Sequence, residues 1–163
     1  GANDIAGATG WMALDRPYRE KYASCGCFEY QASGEGLVRM VREGIESGRE
    51  SVLSRMDPAS LSGKEVFQAY SDGDTLAKEV VVNAVQCWGM AAANFVSLFN
   101  PEMIIFGGGV FGPAAGLLDR IVAEAGKWAQ PISIGKVEMT VSALGQDAGL
   151  YGTGRLAFGG ADR

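Results

Sequence analysis

The sequence contains no histidine, and its only cysteines are Cys25, Cys27 and Cys87. Histidine is the commonest general base near neutral pH and the commonest metal ligand, so this chain offers neither a histidine base nor a histidine metal ligand. An odd number of cysteines in a chain of this size does not indicate a disulfide framework. We therefore expect a reducing, cytoplasmic setting with unpaired thiols.

Long charged runs and long apolar runs are missing as well. Lysine and arginine form no runs and the formal net charge is −5, which argues against nucleic acid and against an anionic membrane surface as partners of this domain. The sequence shows no basic segment followed by an apolar leader, and no apolar run of about 18 residues. Neither secretion nor a membrane-spanning segment is expected.

The rest of the composition is that of an ordinary globular domain, with 47% apolar and 20% charged residues. A chain of 163 residues is long enough to bury roughly 70% of its unfolded surface, so we predict a single domain over residues 1–163. Glycine, with 24 residues, is the one residue type in clear excess.

The order of predicted elements is that of an α/β protein with parallel strands and covering helices. Predicted helices cover residues 26–48 with a break near Ser33, 63–70 with Ser62 as cap, 74–99, 113–129 and 147–158, and strands cover 102–106 and 136–144. The first strand shows no polar alternation, so we expect both of its faces to be covered. Small residues in the last helix predict close packing, and Asp147 is expected to cap it.

The long predicted helix over residues 74–99 has one apolar stripe. Its members recur at alternating steps of four and three and are expected in the core: Val81, Val85, Trp88, Ala92, Phe95 and Phe99. Asn100 and Pro101 should end the helix. The sequence leaves open whether Asn94 faces a cleft or solvent.

Three consecutive glycines, Gly107 to Gly109, follow the first predicted strand and precede a predicted helix start at Pro113. Bare amides beside a helix N-terminus favour an anion or a polar ligand edge. The stretch also matches the dinucleotide-binding pattern G-x-G-x-x-G, but the next strand ends without the acidic residue that binds the ribose. Nucleotide contact and a simple tight turn both stay open, and dinucleotide binding is disfavoured.

Four segments carry a family resemblance: IAGATGWM, GCFEYQASGEGL, NPEMIIFGGGV and ALGQDAGLYGTGRLA. In this order they resemble the C-terminal half of the ROK family, which contains ATP-dependent sugar kinases and sugar-responsive repressors. The resemblance covers essentially the whole chain and implies an actin/hexokinase-like (ribonuclease H-like) fold. It also implies that Gly107, Gly108 and Gly109 form the adenosine side of an ATP cleft, with ATP and Mg²⁺ as cofactors.

The resemblance further implies that the chain is the C-terminal domain of a longer protein. Family kinases carry their first phosphate-binding loop and their catalytic aspartate in an N-terminal domain. We therefore expect no catalytic base in this chain and no turnover by the isolated fragment.

The family's sugar-binding segment, G-E-x-G-H, corresponds to residues 7–11, where Ala8 replaces the glutamate and Trp11 the histidine. That histidine also ligates a structural zinc in the family, together with three cysteines, of which only Cys27 is kept. Glu20 and Tyr22 stand at the other two cysteine positions, and Cys25 has no counterpart. Zinc needs about four nitrogen or sulfur ligands, so no zinc is predicted.

Two residues are candidate sugar contacts. Glu29, in the family motif GCFE, is expected to accept hydrogen bonds from sugar hydroxyls, and the alternative is a first-turn glutamate favoured by the helix dipole. Trp11 is expected either to stack on a pyranose face or to fill the space left by zinc.

The resemblance thus favours an ATP-dependent kinase of a hexose or hexose derivative, with the sugar and ATP as its ligands. The alternatives are a sugar-responsive regulator or a non-catalytic binding module. Family repressors often keep the zinc motif and lose the ATP glycines, and the reverse holds here, which favours the kinase. The long apolar helix and the acidic charge fit a homo-oligomer.

Overall fold

The fold is that of a computed structural model, which describes residue 3 and residues 5–159. The helices are α1 (Cys27–Ala32), α2 (Gly34–Glu46), α3 (Gly63–Ser71), α4 (Thr75–Phe99), α5 (Leu118–Trp128), α6 (Pro131–Ile134) and α7 (Ala148–Gly159), and the strands are β1 (Met103–Phe106) and β2 (Glu138–Val141). The two strands pair in parallel, with Met103 opposite Glu138 and Phe106 opposite Val141. The predicted α/β architecture with parallel strands is confirmed.

Helix α4 forms the centre of the core and packs against α1, α2, α3 and α5. The Asp74 carboxylate caps it by accepting a hydrogen bond of 2.8 Å from the backbone N–H of Ala77. The helix ends as predicted at Asn100, which is left-handed and precedes Pro101. By length and composition α4 would be able to cross a membrane, but 61% of its most apolar stretch is buried inside the protein, which makes it a core helix.

The apolar stripe of α4 is buried along most of its length but not at its end. Trp88 is 4% exposed, and its indole N–H donates a hydrogen bond of 3.0 Å to the carbonyl of Ala32. Phe99 is 71% exposed, so its predicted place in the core is wrong. The buried face of the last turns is that of Ala93 and Val96, which α6 and the sheet cover, and Phe99 is rotated away from it.

The sheet is covered on one face only. Ile104 packs toward Ala93 and Val96, whereas the side chains of Met103 and Ile105 are 44% and 61% exposed. The expectation that both faces of β1 are covered is therefore wrong for the part of the chain that the structure describes. The continuous apolar run of β1 reflects a second face on which none of the described elements packs.

Two serines set the bounds of the helices before α4. Ser33 ends α1 and caps α2 by accepting from the Gly36 N–H at 2.9 Å, which is the predicted break. Ser62 caps α3 in a capping box with Glu65, as predicted. Both helix N-termini are thereby fixed by local sequence.

The closing helix α7 does not pack as predicted. None of its described side chains is buried, and a Cβ added at Gly149, Gly152 or Gly154 would meet nothing within 4 Å. Close packing of its small residues is therefore wrong within residues 5–159.

Candidate functional site

A cavity of about 680 Å³ brings the two main groups of predicted site residues together. Glu29 contributes to one wall and Gly109 to another. Between them lie the N-termini of α2 and α3, which are far apart in sequence. The lining residues are Glu29, Ser33, Gly34, Glu35, Ser62, Gly63, Lys64, Phe67, Gly109, Val110 and Pro113.

The three predicted glycines directly follow β1, and of them Gly109 lines the cavity whereas Gly107 and Gly108 do not. Gly108 has a φ of +86°, a conformation that side chains with a Cβ rarely adopt, so the turn itself requires glycine at this position. A Cβ at Gly108 or Gly109 would meet nothing within 4 Å, whereas one at Gly107 would lie 3.4 Å from the Cβ of Ser142. The backbone of Gly108 and Gly109 is thus open to an approaching group.

The predicted helix start at Pro113 is wrong in one respect. Residues Pro113–Leu117 form a tighter 3₁₀ helix, and α5 begins only at Leu118. The change occurs because Leu117, with φ −102° and ψ 2°, departs from α-helical geometry. The glycine turn therefore does not lead directly into an α-helix N-terminus.

The α-helix N-termini that do line the cavity are those of α2 and α3. Ser33, Gly34 and Glu35 come from the first, and Ser62, Gly63 and Lys64 from the second. The first amides of a helix have no partners within it and carry partial positive charge, so this wall suits a polar or anionic ligand edge. The cap at Ser62 and the helix break at Ser33 were predicted from the sequence, but nothing in the sequence indicated that the two helix starts lie side by side.

Glu29 lies in the first turn of α1, and its side chain is exposed toward the cavity. Its carboxylate accepts no hydrogen bond from the described residues. Gly10 lies directly against it, since a Cβ at Gly10 would be 2.5 Å from Oε2 of Glu29. The carboxylate is therefore available as an acceptor, beside the turn that carries Trp11.

The helical turn Thr9–Trp11 is seated on the N-terminus of α1. Gly26 makes this seat possible: its φ is +91°, and a Cβ there would be 2.4 Å from the carbonyl oxygen of Gly10. The ring of Trp11 is 59% exposed and does not line the cavity. The ring is therefore not packed into the interior, and its stacking on a ligand stays a prediction.

The residues at the family's zinc positions do not form a metal site among the described residues. No group of three or more His, Cys, Asp or Glu side chains able to hold a metal occurs there. The Cys27 sulfur accepts a hydrogen bond of 3.3 Å from Gln31, and Cys25 lies 3.6 Å from the Arg39 guanidinium. One buried thiol and one thiol beside a cation are not the donor set that zinc requires.

The other candidate residues lie outside the cavity. Asn94 is exposed and lines a separate groove of about 520 Å³ with Met90 and Trp128. Asp147 directly precedes α7, and the turn that contains it contacts the turn Gly109–Phe111. Sequence reasoning missed Lys64, Glu35 and Phe67 as cavity residues.

Three comparisons with known proteins bear on this geometry. The sequence model of the ROK family matches residues 1–159. A glucokinase from Halalkalibacterium halodurans is 34% identical over 164 residues, covering 96% of this chain and 48% of that protein. The crystal structure of a ROK family glucokinase from Streptomyces griseus in complex with glucose and AMPPNP has a TM-score of 0.67 at 29% identity, covering 82% of this chain and 45% of that one.

A regulator is equally similar in structure. A ROK family transcriptional regulator, homologous to the E. coli MLC protein, has a TM-score of 0.68 at 27% identity, covering 81% of this chain and 33% of that one. The chain thus spans about half the length of the glucokinases it matches. The structural matches confirm the actin/hexokinase-like fold.

Proposed function

Because the chain belongs to the ROK family, we propose that the protein containing it transfers the γ-phosphoryl group of ATP to a hydroxyl of a hexose or hexose derivative. The observation that carries this proposal is that Glu29 and Gly109 line one cavity. A sugar acceptor and a bare glycine wall are the two halves of a site that must hold sugar and nucleotide side by side.

The adenosine part of ATP would lie against Gly107, Gly108 and Gly109. The facing wall, formed by the starts of α2 and α3, offers backbone amides, the Ser33 hydroxyl and the ammonium group of Lys64. Polar donors around an otherwise apolar wall of Phe67 and Val110 suit a nucleoside, whose base is flat and whose ribose is polar.

The sugar would be held at Glu29. An ionised carboxylate accepts several strong hydrogen bonds and donates none, which suits a cluster of hydroxyls. Trp11, exposed on the neighbouring turn, would stack on the apolar face of the sugar ring. Ala8 and Trp11 in place of the family's glutamate and histidine make a hexose derivative as reasonable a substrate as glucose.

Catalysis would depend on positioning and on charge stabilisation, and Mg²⁺ bound together with ATP would supply positive charge to the transferred phosphoryl group. The described residues of this chain supply the two walls, and the general base is expected from the remainder of the protein. We further propose a cytoplasmic protein that forms a homo-oligomer and binds no nucleic acid through this domain.

A second candidate function is sugar sensing by a transcriptional regulator. The similarity to a ROK regulator favours it. The kinase is preferred because the glycine wall is open, which a regulator without ATP does not need.

The experiment is sugar-dependent ADP release by the intact protein with ATP and Mg²⁺, across hexoses, amino sugars and N-acetyl sugars. For the active sugar, Glu29→Gln should lower kcat/KM by about 10- to 100-fold, because it removes hydrogen bonds to a charged acceptor. The matched control is Glu50→Gln, an exposed glutamate outside the cavity, which should leave kcat/KM unchanged.

The opposite result is equally informative. If no sugar stimulates ADP release although calorimetry detects sugar binding that Glu29→Gln weakens, the kinase proposal fails and the sensor remains. If Glu29→Gln and Glu50→Gln behave alike in an active enzyme, Glu29 is not a sugar contact.

A further inference from the structure

The segment around residues 15–43 contains a cluster of tyrosines and charged side chains at the place where the family resemblance implies a structural zinc. Three of the four family ligand positions lie close together here: Cys27 packs with Tyr22, and the backbone of Trp11 lies against Gly26. Tyrosine and charged side chains occupy this part of the fold.

The centre of the cluster is the pair Tyr22 and Tyr30. Their rings meet edge to face with centroids 5.4 Å apart, and both side chains are buried. The hydroxyl of Tyr22 donates a hydrogen bond of 3.0 Å to Asp15, which ties the preceding loop to the cluster. The hydroxyl of Tyr30 donates to Glu43 on α2.

Glu43 closes the network. Its carboxylate also accepts a hydrogen bond of 2.6 Å from the ammonium group of Lys21, which lies next to Tyr22 in the chain. Lys21 and Arg39 both lie over the ring of Tyr30, at 4.9 and 4.4 Å from its centroid. These side chains thus join the loop, α1 and α2.

The carboxylates of the cluster already have partners: Glu43 accepts hydrogen bonds from Lys21 and Tyr30, and Asp15 accepts one from Tyr22. Two cationic groups lie over one ring, and Arg39 also lies 3.6 Å from the Cys25 sulfur. A divalent cation would be repelled by both.

We propose that this chain has replaced the family's zinc with a metal-free clamp, formed by Asp15, Lys21, Tyr22, Tyr30, Arg39 and Glu43, which holds the segment carrying Gly10 and Trp11 against α1. Zinc would join four points of the chain through one ion. The clamp joins the loop, α1 and α2 through a continuous set of hydrogen bonds and ring contacts. It acts on the fold of the segment and does so whether or not the protein is a kinase.

The test uses the intact protein, produced with added zinc, and begins with its metal content and thermal unfolding. We expect substoichiometric zinc by elemental analysis and a Tm that dipicolinate, a zinc chelator, leaves unchanged. Tyr30→Phe keeps the ring but removes the hydrogen bond to Glu43, and should lower Tm by about 3 to 6 °C. The matched control is Tyr18→Phe, because the ring of Tyr18 also packs on Tyr22 but its hydroxyl has no hydrogen bond among the described residues.

Two results would overturn the proposal. One is stoichiometric zinc that is lost in Cys27→Ser, which would place a metal at this position. The other is a Tyr30→Phe variant as stable as Tyr18→Phe, which would mean that the network does not hold the segment.

Discussion

The close packing of the Thr9–Trp11 turn against Gly26 can be tested directly, because it positions the turn beside Glu29. Gly26 combines two demands in one residue: a φ of +91°, and a space so tight that a Cβ would lie 2.4 Å from the carbonyl oxygen of Gly10 and 2.5 Å from the Cα of Trp11. Both neighbours are backbone atoms, so no side chain can rotate away. Gly26→Ala must therefore displace the turn.

The two demands can be separated with a matched variant. Gly48 has nearly the same φ, +87°, but a Cβ there would meet nothing within 4 Å. Gly48→Ala should therefore cost only the left-handed backbone penalty, about 1 to 2 kcal/mol of unfolding free energy. Gly26→Ala adds the displacement of packed backbone, about 1 to 3 kcal/mol more, for a total of about 2 to 5 kcal/mol.

The assay is urea unfolding of both variants in the intact protein, followed by substrate kinetics. Because the displaced turn carries Gly10, which lies beside Glu29, the KM for the sugar should rise about tenfold in Gly26→Ala while the KM for ATP changes little. Gly48→Ala should leave both constants unchanged. Equal unfolding free energies for the two variants, or an unchanged sugar KM in a destabilised Gly26→Ala, would refute this account of the seat.

Further predictions concern the nucleotide wall and the clamp. Gly108→Val should raise the Kd for ATP at least about tenfold by calorimetry, because it strains the turn and adds bulk at the open wall, without weakening sugar binding. Lys64→Ala should raise the Kd for ATP about three- to tenfold, and the exposed Lys78→Ala should not. Burial alone would raise the pKa of Glu43, but hydrogen bonds from Lys21 and Tyr30 outweigh it and lower that pKa below its ordinary value of 4.5. The ionised Glu43 carboxylate therefore stabilises the fold fully at pH values above its ordinary pKa, and this stabilisation is lost as the pH falls through the lowered pKa. Between about pH 6 and about pH 3, the Tm of Glu43→Gln should therefore fall less than the Tm of the unmodified protein.

The glycine turn was a ligand-site candidate from its residues, the family resemblance added Glu29, and the structure places Glu29 and Gly109 in the lining of the same cavity. The resemblance did not find Lys64, Glu35 or Phe67. These residues lie in segments with ordinary helical patterns, and their role follows only from the approach of α2 and α3 to the turn after β1. The sequence showed that the family's zinc ligands are missing. It did not indicate that tyrosines and charged side chains form a network in their place.

Errors in the predicted fold share one origin. Phe99 and the second face of β1 were expected to be buried because apolar patterns report which residues avoid water, not whether a covering element lies within the same stretch of chain. The glycines of α7 were expected to pack closely for the same reason. In each case the residue type suits a packed position, but no described element packs against it.

The sequence by itself determined several element boundaries: the break at Ser33, Ser62 as a cap, Asn100 and Pro101 as the stop of α4, and the parallel order of strands and helices. These features depend on hydrogen bonds and steric limits between residues a few positions apart. Only the tertiary structure decided that positions 29, 64 and 109 share a cavity and that positions 21, 30 and 43 form one network. Such contacts between residues distant in the sequence depend on how helices pack across the core, which no local sequence pattern determines.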